Sequence, residues 1–145
     1  MKFRDEGFQT TRIIAGVAII LAVSLWWWWA IGQEQAQTRD IQRTHDALII
    51  QTAFEQLFQH DRSYLGAAEG GCEEIGVSVR RCRLRDYFRD INQLADPGKY
   101  DYIMSVVPTK TEYEVTFQLE RGYGDLKAGQ HTISPEGIQQ GELVD

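Results

Sequence analysis

The sequence predicts an α+β protein. One long N-terminal helix spans a membrane with its first half and packs its second half on a small antiparallel sheet. Three observations lead there. An uncharged apolar run from Ile13 to Ile31 is long enough to cross a bilayer, for which about 20 helical residues are needed. The stretch from Gln33 to His60 holds no Pro or Gly and is rich in helix formers. Strict two-residue alternation then appears in "EYEVTFQLE", Glu112 to Glu120.

The apolar run ends in "LWWWWA", which holds all four tryptophans of the chain, Trp26, Trp27, Trp28 and Trp29. Neighbouring helical residues point about 100° apart, so four in a row surround the helix. A soluble helix that buries one stripe cannot hide such a ring. Tryptophan collects at the membrane–water interface, so the ring reads as the anchor at the outer end of a span. Lys2, Arg4 and Arg12 precede the span, whereas the first basic residue after it is Arg39. The positive-inside rule therefore places the N-terminus in the cytoplasm and residues 32–145 outside the inner membrane. A cleaved secretory signal fits less well, because the run exceeds a usual apolar core of about 7–15 residues.

Three parts follow: an N-terminal cytoplasmic segment 1–12, a transmembrane helix 13–31 and an extracytoplasmic domain 32–145. From Gln33 on, the chain carries 12 Lys or Arg against 19 Asp or Glu, a balance of −7. That sign argues against a domain built mainly to neutralise phosphates. Cys72 and Cys82 are the two cysteines, and outside the cytoplasm such a pair is expected to form a disulfide. A zinc site would need further ligands, and no His lies near that loop.

The outer helix is expected over about residues 33–60, with Ala47, Ile50, Phe54, Leu57 and Phe58 as its apolar face. Ile41 and Leu48 extend the apolar surface, and Arg39, Asp40, Arg43 and Asp46 form a charged surface with i,i+3 and i,i+4 pairs. A single Gly32 does not end a helix, so span and outer helix run on as one rod of roughly 70 Å. "GAAEGGC" from Gly66 is a loop. Leu84 to Leu94 reads as a short amphipathic helix stopped by "DPG" at Asp96. Residues 100–120 form a hairpin: Tyr100, Tyr102, Met104 and Val106 share one side, and Tyr113, Val115, Phe117 and Leu119 point inward across from them. "GQHTISPEGI", Gly129 to Ile138, adds a third short strand.

With these local sequences in this order, residues 33–140 resemble the type IV pilin and pseudopilin family. "TRDIQRTHDALIIQTAFEQLFQHDRSY" is similar to the family's outer helix at Arg39, Asp40, Arg43, Asp46, Leu48, Thr52, Ala53, Asp61 and Tyr64. "DPGKYDY" resembles the lead into its sheet, and "LKAGQHTISPEGI" its last strand. The resemblance implies a structural subunit of a pilus, a secretion pseudopilus or a DNA-uptake assembly. It would contact lipid, other pilin-like subunits or a membrane assembly platform. It also implies processing between Gly7 and Phe8 by a prepilin peptidase. The family carries Glu at the fifth position counted from the new N-terminus, where this chain has Arg12. An Arg there opposes the N-terminal ammonium of a neighbouring subunit, and it serves equally as an inside anchor whose head reaches the lipid headgroups.

No catalytic residues, cofactor, metal or small-molecule substrate are expected. His45, His60 and His131 read as solvated surface residues. His45 and His60, 15 positions apart on a helix, lie roughly 22 Å from each other and cannot share a metal. "RRCRLR" is the basic cluster; Arg80, Arg81, Arg83 and Arg85 are its candidates for nucleic-acid contact, against local pairing with Glu73, Glu74, Asp86 and Asp90. Asp96 and Asp101 fall short of the oxygens a calcium ion needs, and an Asx-turn is expected at Asp96. The alternative to a pilin subunit is an uncleaved single-pass protein whose outer domain binds a partner protein.

Overall fold

The computed structural model describes residues 6–69, 71–91 and 94–141, with side chains from residue 14 onward. Helix α1 (Glu6–Asp61) is 56 residues long, as the absence of Pro before residue 97 permits. It ends where Arg62 turns into the left-handed region at φ 53°, its N–H closing on Phe58 O at 2.9 Å. The chain divides between Gln35 and Ala36 into two compact units. The first contains the apolar run of α1, whose side chains from Ile14 through Trp29 are exposed.

The second unit is α+β. The outer stretch of α1 packs on a four-stranded antiparallel meander of β1 (Ile103–Val106), β2 (Glu114–Tyr123), β3 (Leu126–Ser134) and β4 (Gly137–Gln140), in that order across the sheet. The inward residues expected of β2 are all buried, with Val115 opposite Ile133 and Phe117 opposite His131. On α1 the buried set recurs at spacings of three and four through Ala47, Ile50, Phe54 and Leu57, and these meet the sheet's inner face in one core. Phe54 stacks on Tyr113 at 3.9 Å, and Tyr64 closes edge-on against both rings.

The hairpin 100–120 is present, with irregularities that the alternation did not disclose. A bulge between Met104 and Val106 throws Val106 out of phase and leaves it exposed, while Tyr102 and Met104 are buried; Tyr100, before the strand begins, is exposed as well. β2 runs on past Glu120 through a second irregularity between Leu119 and Gly122. Gly122 has φ 98°, and a Cβ there would lie 2.3 Å from Leu126 O, so the residue answers to both backbone and space. The expected single last strand is two strands, because Pro135 and Glu136 turn the chain between Ser134 and Gly137. The outer edge of β1 is covered by residues 76–79, through Gly76 N–H to Met104 O, Met104 N–H to Val77 O and Val79 N–H to Tyr102 O.

The expected helix over Leu84–Leu94 is not formed. The described part is a chain of turns closed by single bonds, among them Tyr87 N–H to Leu84 O and Ile91 N–H to Phe88 O. Eleven residues containing Tyr, Phe, Asp and Asn make a weak helix unaided. Its start is also held elsewhere, since Arg83 N–H donates to Ala67 O. The apolar reading survives the change of backbone: Leu84, Ile91 and Leu94 are buried.

A short helix α2 (Leu65–Ala68) precedes the loop that Cys72 and Cys82 close, and a 3-10 turn (Val79–Arg81) lies within that loop. The two form a buried disulfide with Cα atoms 4.8 Å apart. Gly71 lies so close to the Arg81 carbonyl that no side chain fits. Replacing both cysteines by Ser is expected to lower unfolding stability by about 2–3 kcal/mol, as closure of a short loop implies. Denaturant unfolding with and without reductant measures it, and coincident curves would refute it.

Candidate functional site: tryptophan collar and buried ion cluster

Two groups of residues depart from what a small soluble domain needs. The first is the collar. Trp26, Trp27, Trp28 and Trp29 are all exposed, Trp28 by 83%. Among the described residues α1 is the one helix long and apolar enough to cross a membrane, with a mean hydropathy of 2.0 in its best window and none of that window buried. Ser24, the polar residue of the run, donates its hydroxyl to Ile20 O at 2.8 Å and so presents no unmet polar group. This is compatible with a single-pass membrane protein. Gly7, Phe8 and Arg12, the processing and inner-anchor candidates, lie outside the residues whose side chains are described.

The second group overturns the expected charged surface on α1. Asp40 and Arg43 are fully buried and Asp46 nearly so. The apolar stripe of the helix, followed towards its N-terminus at the same spacing, passes from Leu57, Phe54, Ile50 and Ala47 to Arg43, Asp40 and Ala36. That period was legible in the sequence, and it places the charges against the sheet.

Arg43 is the hub. Its Nε and Nη2 engage both carboxylate oxygens of Asp96, and Nη1 donates to Asp40 Oδ1 at 2.9 Å and to Glu120 Oε1 at 2.8 Å. Arg39 forks onto the same Glu120 through Nε at 2.8 Å and Nη2 at 2.5 Å. Asp40 in turn accepts the backbone N–H groups of Glu120, Arg121 and Gly122 at 2.9, 2.7 and 3.0 Å. These are the donors that the irregularity in β2 releases from the ladder. Asp96 accepts Gly98 N–H at 2.7 Å and Tyr100 N–H at 3.2 Å, the expected Asx-turn. The Tyr100 ring lies 5.1 Å from the Arg43 guanidinium carbon. Nearby, Tyr102 donates its hydroxyl to Asp46 at 2.8 Å.

The electrostatics follow from these partners. Glu120 is held down to about 2, chiefly by the hydrogen bonds from Arg39; burial opposes this, and the hydrogen bonds from Arg43 add to the lowering. Burial pushes the Asp96 carboxyl up, but Arg43 and the Gly98 N–H outweigh it and the net direction is down. Asp46 goes the other way, raised by burial despite the Tyr102 hydroxyl. The cluster is saturated by its own chain, which makes it a structural tie.

The remaining candidates are dispersed. Asp101 is taken by Arg80 at 3.0 Å and by the Ser78 hydroxyl, so Asp96 and Asp101 serve separate contacts. Arg81, Arg83 and Arg85 are exposed, with Cys82 and Leu84 buried between them. Glu69 and Asp86 line the same shallow cavity as the arginines, and Glu73 and Glu74 line the next one beside Arg81. His45 and His60 are on the surface. His131 is buried, contrary to expectation: it sits at an inward position of β3, with Nε2 2.7 Å from Lys127 O. Alternation with Ile133 is the signal that could have found it.

Arg43→Met is expected to cost about 3–5 kcal/mol, because Asp40 and Asp96 would stay buried without their cation. A retained unfolding midpoint would contradict this. The cluster also sets an acid limit. Glu120 has a folded pKa of about 2 against an ordinary 4.5, so its stabilisation is complete above the ordinary value and is lost as pH falls towards 2. Asp46, raised on folding, opposes that loss slightly. Glu120→Gln is expected to flatten the stability profile between pH 4.5 and 2, which unfolding at stepped pH reads directly. Compared with protein-family profiles, curated proteins and solved structures, the chain matches none of them.

Proposed function

We propose that the chain is a membrane-anchored, type IV pilin-like structural subunit. It would sit in the inner membrane with its N-terminus in the cytoplasm and its α+β unit outside. The observation that carries the reading is helix α1 itself, exposed and apolar from Ile14 to Trp29, whose later stretch packs on an antiparallel meander. The role is assembly in a pilus, a secretion pseudopilus or a DNA-uptake machine. The work is done by association in lipid and contacts outside it, with other pilin-like subunits or an assembly platform. No catalytic step is assigned. Nucleic acid is a poor fit for Arg80, Arg81, Arg83 and Arg85, since carboxylates line the cavities those arginines share.

A second reading is favoured by Arg12 and by the collar itself. Four adjacent indoles suit a helix that stays in lipid, and a basic residue at the inner end suits a permanent anchor. In that reading the outer domain binds a partner protein and the leader is never removed. Intact mass of the protein extracted from its membrane separates the two. A chain beginning at N-methylated Phe8 is expected for the pilin subunit, whereas a chain beginning at Met1 rejects processing and leaves the anchor.

A further inference from the structure

Strand β2 runs back along α1. It begins beside Tyr113, which stacks on Phe54, and by Glu120, Arg121 and Gly122 it has reached Asp40. The β2–β3 turn, closed by the pair Tyr123 and Leu126, therefore lies at the end of the second unit that α1 enters at Ala36. The lead into β1 comes to the same end, because Asp96 and the Tyr100 ring both lie against Arg43. Tyr123 is 45% exposed and Tyr100 36%, and they are the exposed two of the six tyrosines in the chain. Among the described residues of the second unit no Phe is exposed, so its exposed Phe and Tyr rings all stand at this end. Tyr123 sits between Gly122 and Gly124, both in the left-handed region at φ 98° and 61°, which lets the chain turn tightly around it. The exposed charges of this end are Lys99, Arg121 and Lys127 against Asp125, while Arg39, Asp40, Arg43, Asp96 and Glu120 bind one another.

We propose that the β2–β3 turn, with Tyr123 at its tip, rests in the lipid headgroup layer and holds the outer unit against the bilayer. The inference rests on the membrane-anchored reading, in either of its forms. Acids and bases nearly balance at this end, so charge does not select the lipid. The short tether does. Ile31, the last residue of the apolar run, and Ala36 are five steps apart in sequence, about 7.5 Å as helix and at most about 18 Å fully extended. One headgroup layer is about 5–7 Å thick, so the end of the unit that receives α1 is within reach of it from chain length alone. The side chains found there suit that layer. A tyrosine ring with its polar tip belongs at the membrane–water boundary, and long Lys and Arg side chains lay their stems on apolar surface while their heads reach phosphates. Tyr100 and Lys99 stand beside the turn as a second contact of the same kind.

The test uses the full-length chain in vesicles of phosphatidylcholine and phosphatidylglycerol that carry a lipid with a nitroxide on its headgroup. Cys72 and Cys82 are consumed by their own disulfide, so an added cysteine takes a single fluorophore. A label on Ala128→Cys, exposed two residues past Leu126, is expected to be quenched several-fold more than one on Glu136→Cys, exposed on the β3–β4 turn. Those sites are separated by about 20 Å of β3. Adding Tyr123→Ser to the Ala128→Cys chain is expected to cut the quenching several-fold, and Tyr123→Trp to keep it. Equal quenching at Ala128 and Glu136, no loss with Tyr123→Ser, or loss with Tyr123→Trp would each overturn the contact. Quenching that fades as the protein is diluted in lipid assigns the turn to a second copy and overturns it too. A label on Leu21→Cys, with the nitroxide moved to the acyl chain, keeps the two readings apart. No quenching at Leu21 overturns the anchor and the headgroup contact with it, while quenching at Leu21 beside equal signals at Ala128 and Glu136 overturns the contact alone.

Discussion

The second unit depends on one buried cation. Arg43 is fully buried and holds Asp40 from its own helix, Asp96 from the lead into β1 and the partly exposed Glu120 from β2. Hydrophobic burial between a helix and a sheet is non-directional and tolerates sliding. A guanidinium with fixed donors tolerates very little, because a slide of one turn would strand at least two carboxylates in low dielectric. The cluster therefore sets the register of α1 on the sheet at one end, while the stacked pair Phe54 and Tyr113 fills the other. Gly98 shows how tightly it is packed: a Cβ there would come within 2.8 Å of an Arg43 nitrogen.

Asp40 links that register to the shape of the sheet. An irregular strand leaves backbone donors without ladder partners, and here three consecutive N–H groups converge on one carboxylate of the helix. Glu120 is placed by the same irregularity to face both Arg39 and Arg43. The helix cannot present Asp40 without the irregularity, nor can the strand afford the irregularity without Asp40. On the other side of the helix, Ile41 and Leu48 are left exposed.

The α+β architecture, the inward set of β2 and the disulfide were legible because each rests on a local signal: a period of two, an uninterrupted helical composition, a cysteine pair. The burial of Asp40 and Arg43 is less direct, because residue type argues for solvent while spacing argues for the core. Spacing was right. The turns over residues 84–91 show the opposite: their apolar spacing is helical, but the Arg83–Ala67 bond fixes where the segment begins and its residues are weak helix formers. His131 lies in an expected strand, and its inward place follows from alternation with Ile133 rather than from its polar residue type. The collar was legible from four letters, since no packing within so short a chain could enclose it.

The core of the second unit is drawn from residues 47–133, all of it beyond Gln35. No residue of the apolar run contributes to it. Cutting the chain near Phe8, or leaving it whole, therefore changes nothing that stabilises the α+β unit. For that reason the stability of the α+β unit is the same for both proposed roles, a polymerising subunit and a permanent anchor. The difference between the roles lies in the sequence before the apolar run, where Arg12 stands at the fifth position counted from Phe8, and in the bulk of the collar at the end of the run. A helix that enters a filament core must accept other helices around its whole circumference. One ringed by indoles presents its largest side chains there, and it holds its depth in lipid by the same property.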